Sequence, residues 1–315
     1  MRSHRPQRIA GIILILGLSL FSVACGGDAK PSPEDSAKAV AAPAASIPSS
    51  SINTGWDEGA AGQFMILSSA DDGMTAALVM PNETDSSLAQ KKTFQLDALA
   101  NTPVDLFNAA GAAGSSSIAV NSQQLPGEGC LVWPAARLIT KPSSSWSVGF
   151  PAGHAKSIQI DSVEKLGHAD SVSITTELVK QASALSMSGD PVFRGLPFIV
   201  RKAYRLSMGD TVALIGSIVR KINEEANPRE EHLLVVVERN GGADSPYAVT
   251  YQNRTAGAEA DVRTNAILAA VRFVKANTPA IVLSFEYDDG GQIALLERVG
   301  GRAWKITWRS AYTGC

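Results

Sequence analysis

The sequence is poor in the residues that most often build metal and redox sites. Its 315 residues include three cysteines and four histidines, and aromatic residues make up 6%. No Cys-x-x-Cys or His-x-x-x-His spacing occurs, so the chain lacks the common zinc-binding motifs. We therefore expect no metal and no other cofactor.

An excess of positive charge is also missing. The chain carries 28 Lys and Arg against 30 Asp and Glu, and loss of the first 24 residues would leave 25 basic and 30 acidic side chains, a net charge of −5. Nucleic-acid binding needs a concentrated basic face, so we expect no nucleic-acid partner. Since a polybasic membrane patch is absent too, a membrane anchor would have to be a lipid.

The apolar run near the N-terminus is shorter than the roughly 20 residues that a membrane-spanning helix needs. Three arginines precede the run over residues 9–20, and the small residues Ser22 and Ala24 lead to Cys25. A basic start, a short apolar core and a small-residue exit are typical of a secretory signal, so we predict removal of residues 1–24. A retained N-terminal anchor helix is the alternative.

The stretch FSVAC, residues 21–25, resembles the lipobox of bacterial lipoproteins. In that family the cysteine after the cleavage site receives a diacylglycerol and a further acyl chain, so the resemblance implies a lipid on Cys25. It covers only the first 25 residues, and Ser22 stands where the family prefers leucine. Because Ser22 and Ala24 also satisfy the ordinary small-x-small rule, a non-lipidating peptidase could cut the same bond.

The odd number of cysteines favours lipidation of Cys25. Export places the chain in an oxidising compartment, where an unpaired thiol is a liability. If Cys25 is acylated, Cys130 and Cys315 remain as one pair. We therefore predict a Cys130–Cys315 disulfide, which in the chain-entropy model would stabilise the fold by about 5 kcal/mol.

Residues 25–54 are predicted to form a disordered tether between the lipid and the folded part. The segment is rich in Ala, Pro and Ser and has no aromatic residue, so it cannot offset its ordering entropy by burial. As a flexible coil the tether would span roughly 30 Å. The alternative is a helix over residues 34–45, although Pro43 would interrupt that helix. Gly26 stands where some inner-membrane lipoproteins carry aspartate, which favours the outer membrane, with the folded part in the periplasm or at the cell surface.

The sequence from residue 55 onward is typical of a mainly β (α+β) protein. Short apolar runs such as those in residues 63–69, 75–81 and 116–120 are bounded by Gly, Asp, Asn or Pro, as strands are. We predict two β-rich parts, residues 55–189 and residues 190–315, divided at a turn-rich stretch.

One helix is predicted over residues 170–186, at the end of the first part. Apolar residues there approximate a helical stripe: Val172, Leu178, Val179, Ala182 and Leu185. Asp170 or Ser171 is expected to cap its start.

The second part contains two copies of a pattern about 50 residues long. Each copy has Val-Arg, then a β-rich run ending in Glu, then Gly-Gly and a second strand. Val219 and Val271 are offset by 52 residues, and Glu238 and Glu286 by 48. A period of this length predicts repeated antiparallel units that cover one another's faces, either as a sandwich or as a partial propeller-like sheet.

These copies weakly resemble FG-GAP and related extracellular β-repeats. The alternating Asp-x-Asp-x-Asp-Gly calcium loop of such repeats is missing. Asp288 and Asp289 stand side by side and fit a hairpin turn equally well. The resemblance therefore concerns architecture, and no metal is implied.

No catalytic motif is assembled in sequence. His154, His168 and His232 stand apart, and we interpret each as an ordinary surface or packing residue. Residues 167–171, GHADS, place His, Asp and Ser together, but a triad depends on geometry, and we interpret Asp170 and Ser171 as helix caps. No residue is assigned a catalytic role.

Two further stretches allow either a functional or a structural interpretation. Residues 223–232, NEEANPREEH, contain four glutamates that could hold calcium, but their spacing matches no calcium loop and a solvated connection is favoured. In RAWKITWRS, Trp304 and Trp308 are expected on one face of a strand with Ile306. Such a row could stack on sugars, but a core position is favoured because tryptophan buries a large area.

These observations favour a lipid-anchored envelope protein of non-catalytic binding or scaffold type. Its expected partners are the membrane, through the lipid, and another envelope protein or a polysaccharide. The alternative is an extracytoplasmic, carbohydrate-active hydrolase whose carboxylates come from distant parts of the chain.

Overall fold

The computed structural model describes residues 62, 64–69, 72–80, 99–123, 133–185, 189–223, 227–242, 244–287 and 290–314. All of them lie in the same folded unit, Ser50–Cys315. The predicted signal peptide and tether, Asp288 and Asp289, and all three cysteines lie outside the described residues. Lipidation of Cys25 and the Cys130–Cys315 disulfide therefore stay predictions.

The mainly β fold is confirmed, and the strand pairs among the described residues are all antiparallel. The first six strands close into a small barrel in the order β1-β2-β5-β4-β3-β6. Their bounds are β1 Ile66–Ser68, β2 Thr75–Leu78, β3 Pro103–Asn108, β4 Gly111–Gln123, β5 Ala135–Leu138 and β6 Val148–Pro151.

Two further sheets follow the barrel. The outer sheet has the order β12-β11-β10-β9-β8, with β8 Ile160–Ser162, β9 Ile199–Met208, β10 Thr211–Ile222, β11 Arg229–Asn240 and β12 Ala248–Ala258. The central sheet has the order β16-β15-β14-β13-β7, with β17 paired to β15. Its bounds are β7 Ala155–Ser157, β13 Thr264–Phe273, β14 Thr278–Tyr287, β15 Gly290–Arg298, β16 Trp304–Arg309 and β17 Thr313–Gly314.

The central sheet is buried on both faces. Val271, Phe273 and Val282 pack against the barrel, where the rings of Phe150 and Phe273 meet edge to face at 5.4 Å. Ile281 and Leu283 project from the opposite face towards the outer sheet. Because each fully buried aliphatic side chain contributes about 1.5–3 kcal/mol, the apolar strands on this sheet provide much of the core.

The two sequence repeats form the two facing sheets of a sandwich. The first repeat supplies β10, β11 and β12 of the outer sheet, and the second supplies β13, β14 and β15 of the central sheet. Val219 and Val271 both lie in the first strand of their unit, and Glu238 and Glu286 both lie near the end of the second. Strands before residue 190 also join these sheets, since β7 pairs with β13 and β8 with β9; the division near residue 190 stays a prediction.

A buried carboxylate links the two sheets of the sandwich. Glu238, on β11, is fully buried and accepts hydrogen bonds from Arg298 Nε at 2.9 Å and Nη2 at 3.1 Å. Its Oε1 also accepts from Trp304 Nε1 at 2.6 Å. Because Arg298 and Trp304 belong to the central sheet, this carboxylate fixes the register of one sheet on the other.

The predicted helix is confirmed as α1, His168–Ala184, which packs on the outer sheet. Its buried face consists of Ile174, Leu178 and Ala182, whereas Val172 of the predicted stripe is 50% exposed. Gly216 provides room for the helix, because a Cβ there would lie 3.0 Å from Leu178 Cδ2. Within the described part of the chain, no helix is long and apolar enough to cross a membrane.

The predicted helix caps are wrong. The N-cap position is occupied by Gly167, which makes no side-chain cap. Asp170 lies in the first turn and forms an ion pair with Arg205. Ser171 donates from Oγ to the Val163 carbonyl at 2.7 Å, which ties the helix to the preceding 3-10 turn.

The expected single tryptophan face of β16 is also wrong. A β-bulge places Trp308 opposite Leu295 but Ile306 opposite Leu296, so Thr307 is an extra residue. The extra residue reverses the alternation of side chains. Trp304 therefore packs towards the outer sheet and Trp308 towards the barrel, and both are buried, as the core interpretation predicts.

Candidate functional site

A groove of about 640 Å³ lies beside α1 on the exposed face of the outer sheet. One wall is the polar side of the helix, with Asp170, Ser173 and Glu177. These positions follow the three- and four-residue spacing of one helical face, which lies beside the buried apolar face and shares its edge at Ile174. The helix therefore contributes both core packing and a wall of the groove.

The floor of the groove is formed by three neighbouring strands. Arg205 on β9 stands opposite Leu214 on β10, and Arg239 comes from β11. Arg205 is held by two carboxylates, Asp161 Oδ2 at 3.3 Å and Asp170 Oδ2 at 3.2 Å. The guanidinium is thus fixed where the helix begins to cross the sheet.

Residues 244–247 form the other side of the groove. The Tyr247 ring lies under the Arg239 guanidinium, whose carbon is 5.0 Å from the ring centroid. Burial raises the pKa of Tyr247; Glu177 adds to that rise, and the nearby Arg239 opposes it. Tyr247 therefore keeps its proton at neutral pH and offers a hydroxyl that can donate or accept.

A chain of hydrogen bonds connects the helix wall to this segment. Glu177 accepts from Gln181 Nε2 at 2.7 Å and pairs with Lys180 Nζ at 3.2 Å. Gln181 Nε2 also donates to the Tyr247 carbonyl at 3.2 Å. The two sides of the groove are therefore held at a defined separation by these hydrogen bonds.

A buried ionic cluster holds the end of α1 and the segment after it. Glu231 has no exposed area and contacts the Arg220 guanidinium from one side and Arg254 Nη1, at 2.8 Å, from the other. Arg254 also donates to the Leu185 carbonyl at 2.9 Å, which satisfies a helix C-terminal acceptor. A Cβ on Gly189 would come within 2.4 Å of Arg254 Nη1, so the chain passes directly over the cluster.

Aromatic rings complete the enclosure of Arg220. Its guanidinium carbon lies 4.5 Å from the Phe198 ring centroid and 5.9 Å from that of Phe193. Cation–π contacts of this kind are stronger when both groups are removed from water. We interpret the cluster as a structural support for the helix.

A second cluster lies on the inner face of β11. Glu230 Oε2 contacts His232 Nε2 at 2.5 Å, and Oε1 contacts Lys221 Nζ. Burial would raise the pKa of Glu230, but the hydrogen bonds from Lys221 and His232 outweigh burial and hold the pKa below its usual value. Glu230 is therefore ionised at neutral pH.

The interpretation of residues 223–232 as a solvated connection is wrong for its second half. Glu230, Glu231 and His232 belong to strand β11 and are buried. The cost of burying the carboxylates of Glu230 and Glu231 is offset because β10 places Lys221 and Arg220 directly opposite them. Glu224 and Glu225 lie outside the described residues.

The other sequence candidates are not brought together. His168 and Asp170 lie in the first turn of α1, where Asp170 pairs with Arg205, and His154 lies after β6 in a turn whose amide donates to the Pro151 carbonyl. In the described ranges, no three His, Cys, Asp or Glu residues form a group that could hold a metal ion. Apart from Asp170, the groove combines residues that sequence reasoning did not select, and the signal for them in the sequence is the polar face of α1.

Comparison with known proteins gives no identification, since no family model, no curated protein and no solved structure matches this chain.

Proposed function

We propose that this protein is a lipid-anchored envelope protein whose folded part binds another envelope component in the groove beside α1. The N-terminal signal, the cysteine after it and the Ala/Pro/Ser-rich tether support an anchored, exported chain. The observation that carries the binding role is the groove itself. Gln181 connects its walls through hydrogen bonds to Glu177 and to the Tyr247 carbonyl, and a groove with fixed walls has a lower ordering cost of binding.

The charged side chains of the groove contact one another and are held in place. Asp170 is neutralised by Arg205, and Glu177 is engaged by Lys180 and Gln181. Two of the three acidic side chains that line the groove therefore already contact a basic or amide group. Side chains paired in this way are suited to orienting a ligand through additional hydrogen bonds.

Capture from membranes tests the binding role. Ser173 is an exposed residue that lines the groove, and Val172 is its exposed neighbour outside the groove. We expect the detergent-solubilised wild-type protein and V172W to recover the same stoichiometric component, and S173W to lose it because the indole fills the groove. Equal recovery by S173W and V172W, or no stoichiometric component with any of the three, would contradict the proposal.

Mass spectrometry of the mature N-terminal peptide tests the anchor. We expect Cys25 as the first residue, carrying the mass of a diacylglyceryl group and a further acyl chain. A free thiol on Cys25, or a peptide that still contains residues 1–24, would contradict lipidation.

A carbohydrate-active hydrolase is the second candidate, because Asp170, Glu177 and Asp244 border the same groove. Two carboxylates on opposite sides of a glycosidic bond are the usual requirement. This candidate predicts that the wild-type protein releases reducing ends from envelope polysaccharide and that E177Q abolishes the release. Binding of a polysaccharide without release would support the binding role.

A further inference from the structure

We propose that the groove beside α1 recognises a segment of uncharged polysaccharide. This inference rests on the proposed binding function and names the chemistry of the ligand. It follows from the charge balance of the groove, the kinds of hydrogen-bonding groups that line it, and the lack of accessible strand backbone in its floor.

The described residues that line the groove carry balanced charge. Three are acidic and three are basic: Asp170, Glu177, Asp244, Lys180, Arg205 and Arg239. Asp170 and Arg205 already pair with each other at 3.2 Å, as do Glu177 and Lys180. A charged ligand would meet one acidic side chain for each basic one, so neither sign of charge gains a large net attraction. A neutral ligand leaves the existing pairs intact.

The groove offers donors and acceptors side by side, as a polyhydroxyl ligand requires. Guanidinium groups donate, carboxylates accept, and the hydroxyls of Ser173, Thr176 and Tyr247 can do either. Each sugar hydroxyl can likewise donate one hydrogen bond and accept others. The carboxylate–guanidinium pair of Asp170 and Arg205 can therefore bind one hydroxyl from both sides without losing its own contact.

Apolar surface is interspersed with these polar groups. Ile174, Leu214 and Pro246 contribute carbon atoms to the lining. A pyranose ring presents C–H groups between its hydroxyls, so it matches a surface of this mixed character. The volume of about 640 Å³ falls within the usual range of ligand sites, about 300–1,000 Å³.

An extended peptide fits the groove less well than a glycan. Peptides are commonly bound by adding a strand to a sheet edge, where backbone groups are free. The floor here lies inside the outer sheet, since Leu214 on β10 is paired with Arg205 on one side and Val237 on the other. The recognition must therefore come from side chains, which favours a ligand that carries its polar groups at its periphery.

A carbohydrate array tests the proposal with the full-length protein in detergent. The probes are uncharged oligosaccharides, uronic-acid and free-amine oligosaccharides of equal length, short peptides, and the neutral polysaccharide fraction of the source envelope. We expect wild type and V172W to bind uncharged probes, and S173W to bind them at least about tenfold more weakly. Binding to uncharged probes should change less than about twofold between roughly 50 mM and roughly 500 mM salt.

The results separate this inference from the proposed function. Binding confined to charged probes or peptides, strong salt dependence, equal binding by S173W, or no bound glycan would overturn the inference. If S173W still loses the component captured from membranes, the proposed binding role stands without a neutral glycan. If neither experiment distinguishes S173W from V172W, both fail.

Discussion

The buried carboxylate of Glu238 provides the sharpest prediction about stability. Replacing it with glutamine keeps the shape and one acceptor for the Trp304 indole, but removes the charge that faces Arg298. Removing one partner of a buried ion pair costs about 3–5 kcal/mol; because Arg298 keeps 23% of its side chain exposed and the indole retains an acceptor, we expect E238Q at the lower end, about 3 kcal/mol. At about 2–4 °C per kcal/mol for a domain of this size, Tm should fall by about 6–12 °C.

Glu286 provides a matched control, because it occupies the corresponding position of the second repeat but is exposed. It accepts a hydrogen bond from Ser284 Oγ at 2.9 Å and lies in the same sheet as Arg298. We expect E286Q to change the free energy of unfolding by less than about 0.5 kcal/mol. Urea unfolding followed by tryptophan fluorescence measures both variants. An E238Q protein as stable as E286Q would refute the argument that this carboxylate holds the two sheets together.

Three further predictions concern the outer sheet. G216A should destabilise the fold by about 1–3 kcal/mol in urea unfolding because its Cβ crowds the helix, whereas G242A, which meets no atom within 4 Å, should be neutral; equal effects would contradict the packing. Because the pKa of Glu230 is lowered in the folded state, its contribution to stability is present above the unfolded value near 4.5 and is lost as pH falls. The wild type should therefore lose more stability than E230Q between roughly pH 6 and pH 3, and parallel curves would contradict this. R254M should cost about 3 kcal/mol because it leaves a buried carboxylate underpaired, and an unchanged unfolding midpoint would argue against the cluster.

The sandwich could be predicted from the sequence because repetition is visible in the order of residues. Val219 and Val271, like Glu238 and Glu286, keep nearly constant offsets, and each repeat folds into one three-stranded unit. The helix was predictable for a similar reason, since its length and spacing are local properties. Its cap was not, because Asp170 interacts with Arg205, a residue far away in sequence.

The buried ionic clusters carry a signal that a hairpin alignment would have detected. Pairing the two sides of the turn after β10 puts Arg220 opposite Glu231 and Lys221 opposite Glu230. Opposite charges at cross-strand positions stabilise a hairpin, and the same register buries Arg220, Glu230 and Glu231. The four glutamates look like one acidic loop in the sequence, but Glu230 and Glu231 belong to strand β11.

The bulge and the groove could not be predicted from local pattern. The extra residue Thr307 in β16 breaks an alternation that looks perfect in sequence, because the strand packs between two different layers. The groove depends on residues from α1, three strands and residues 244–247, which meet only after the sheet has formed. Nothing in the sequence distinguishes these charged residues from other surface residues, because their ion pairs form only in the folded protein.

Photo-cross-linking in intact cells tests whether the groove beside α1 is the binding surface. A benzophenone side chain introduced at Ser173 would lie in the groove, and one at Val172 would point away from it. We expect position 173 to yield a discrete high-mass adduct of the lipid-anchored protein and position 172 to yield none. Adducts of equal yield at both positions, or none at position 173, would contradict the assignment of the groove as the binding surface.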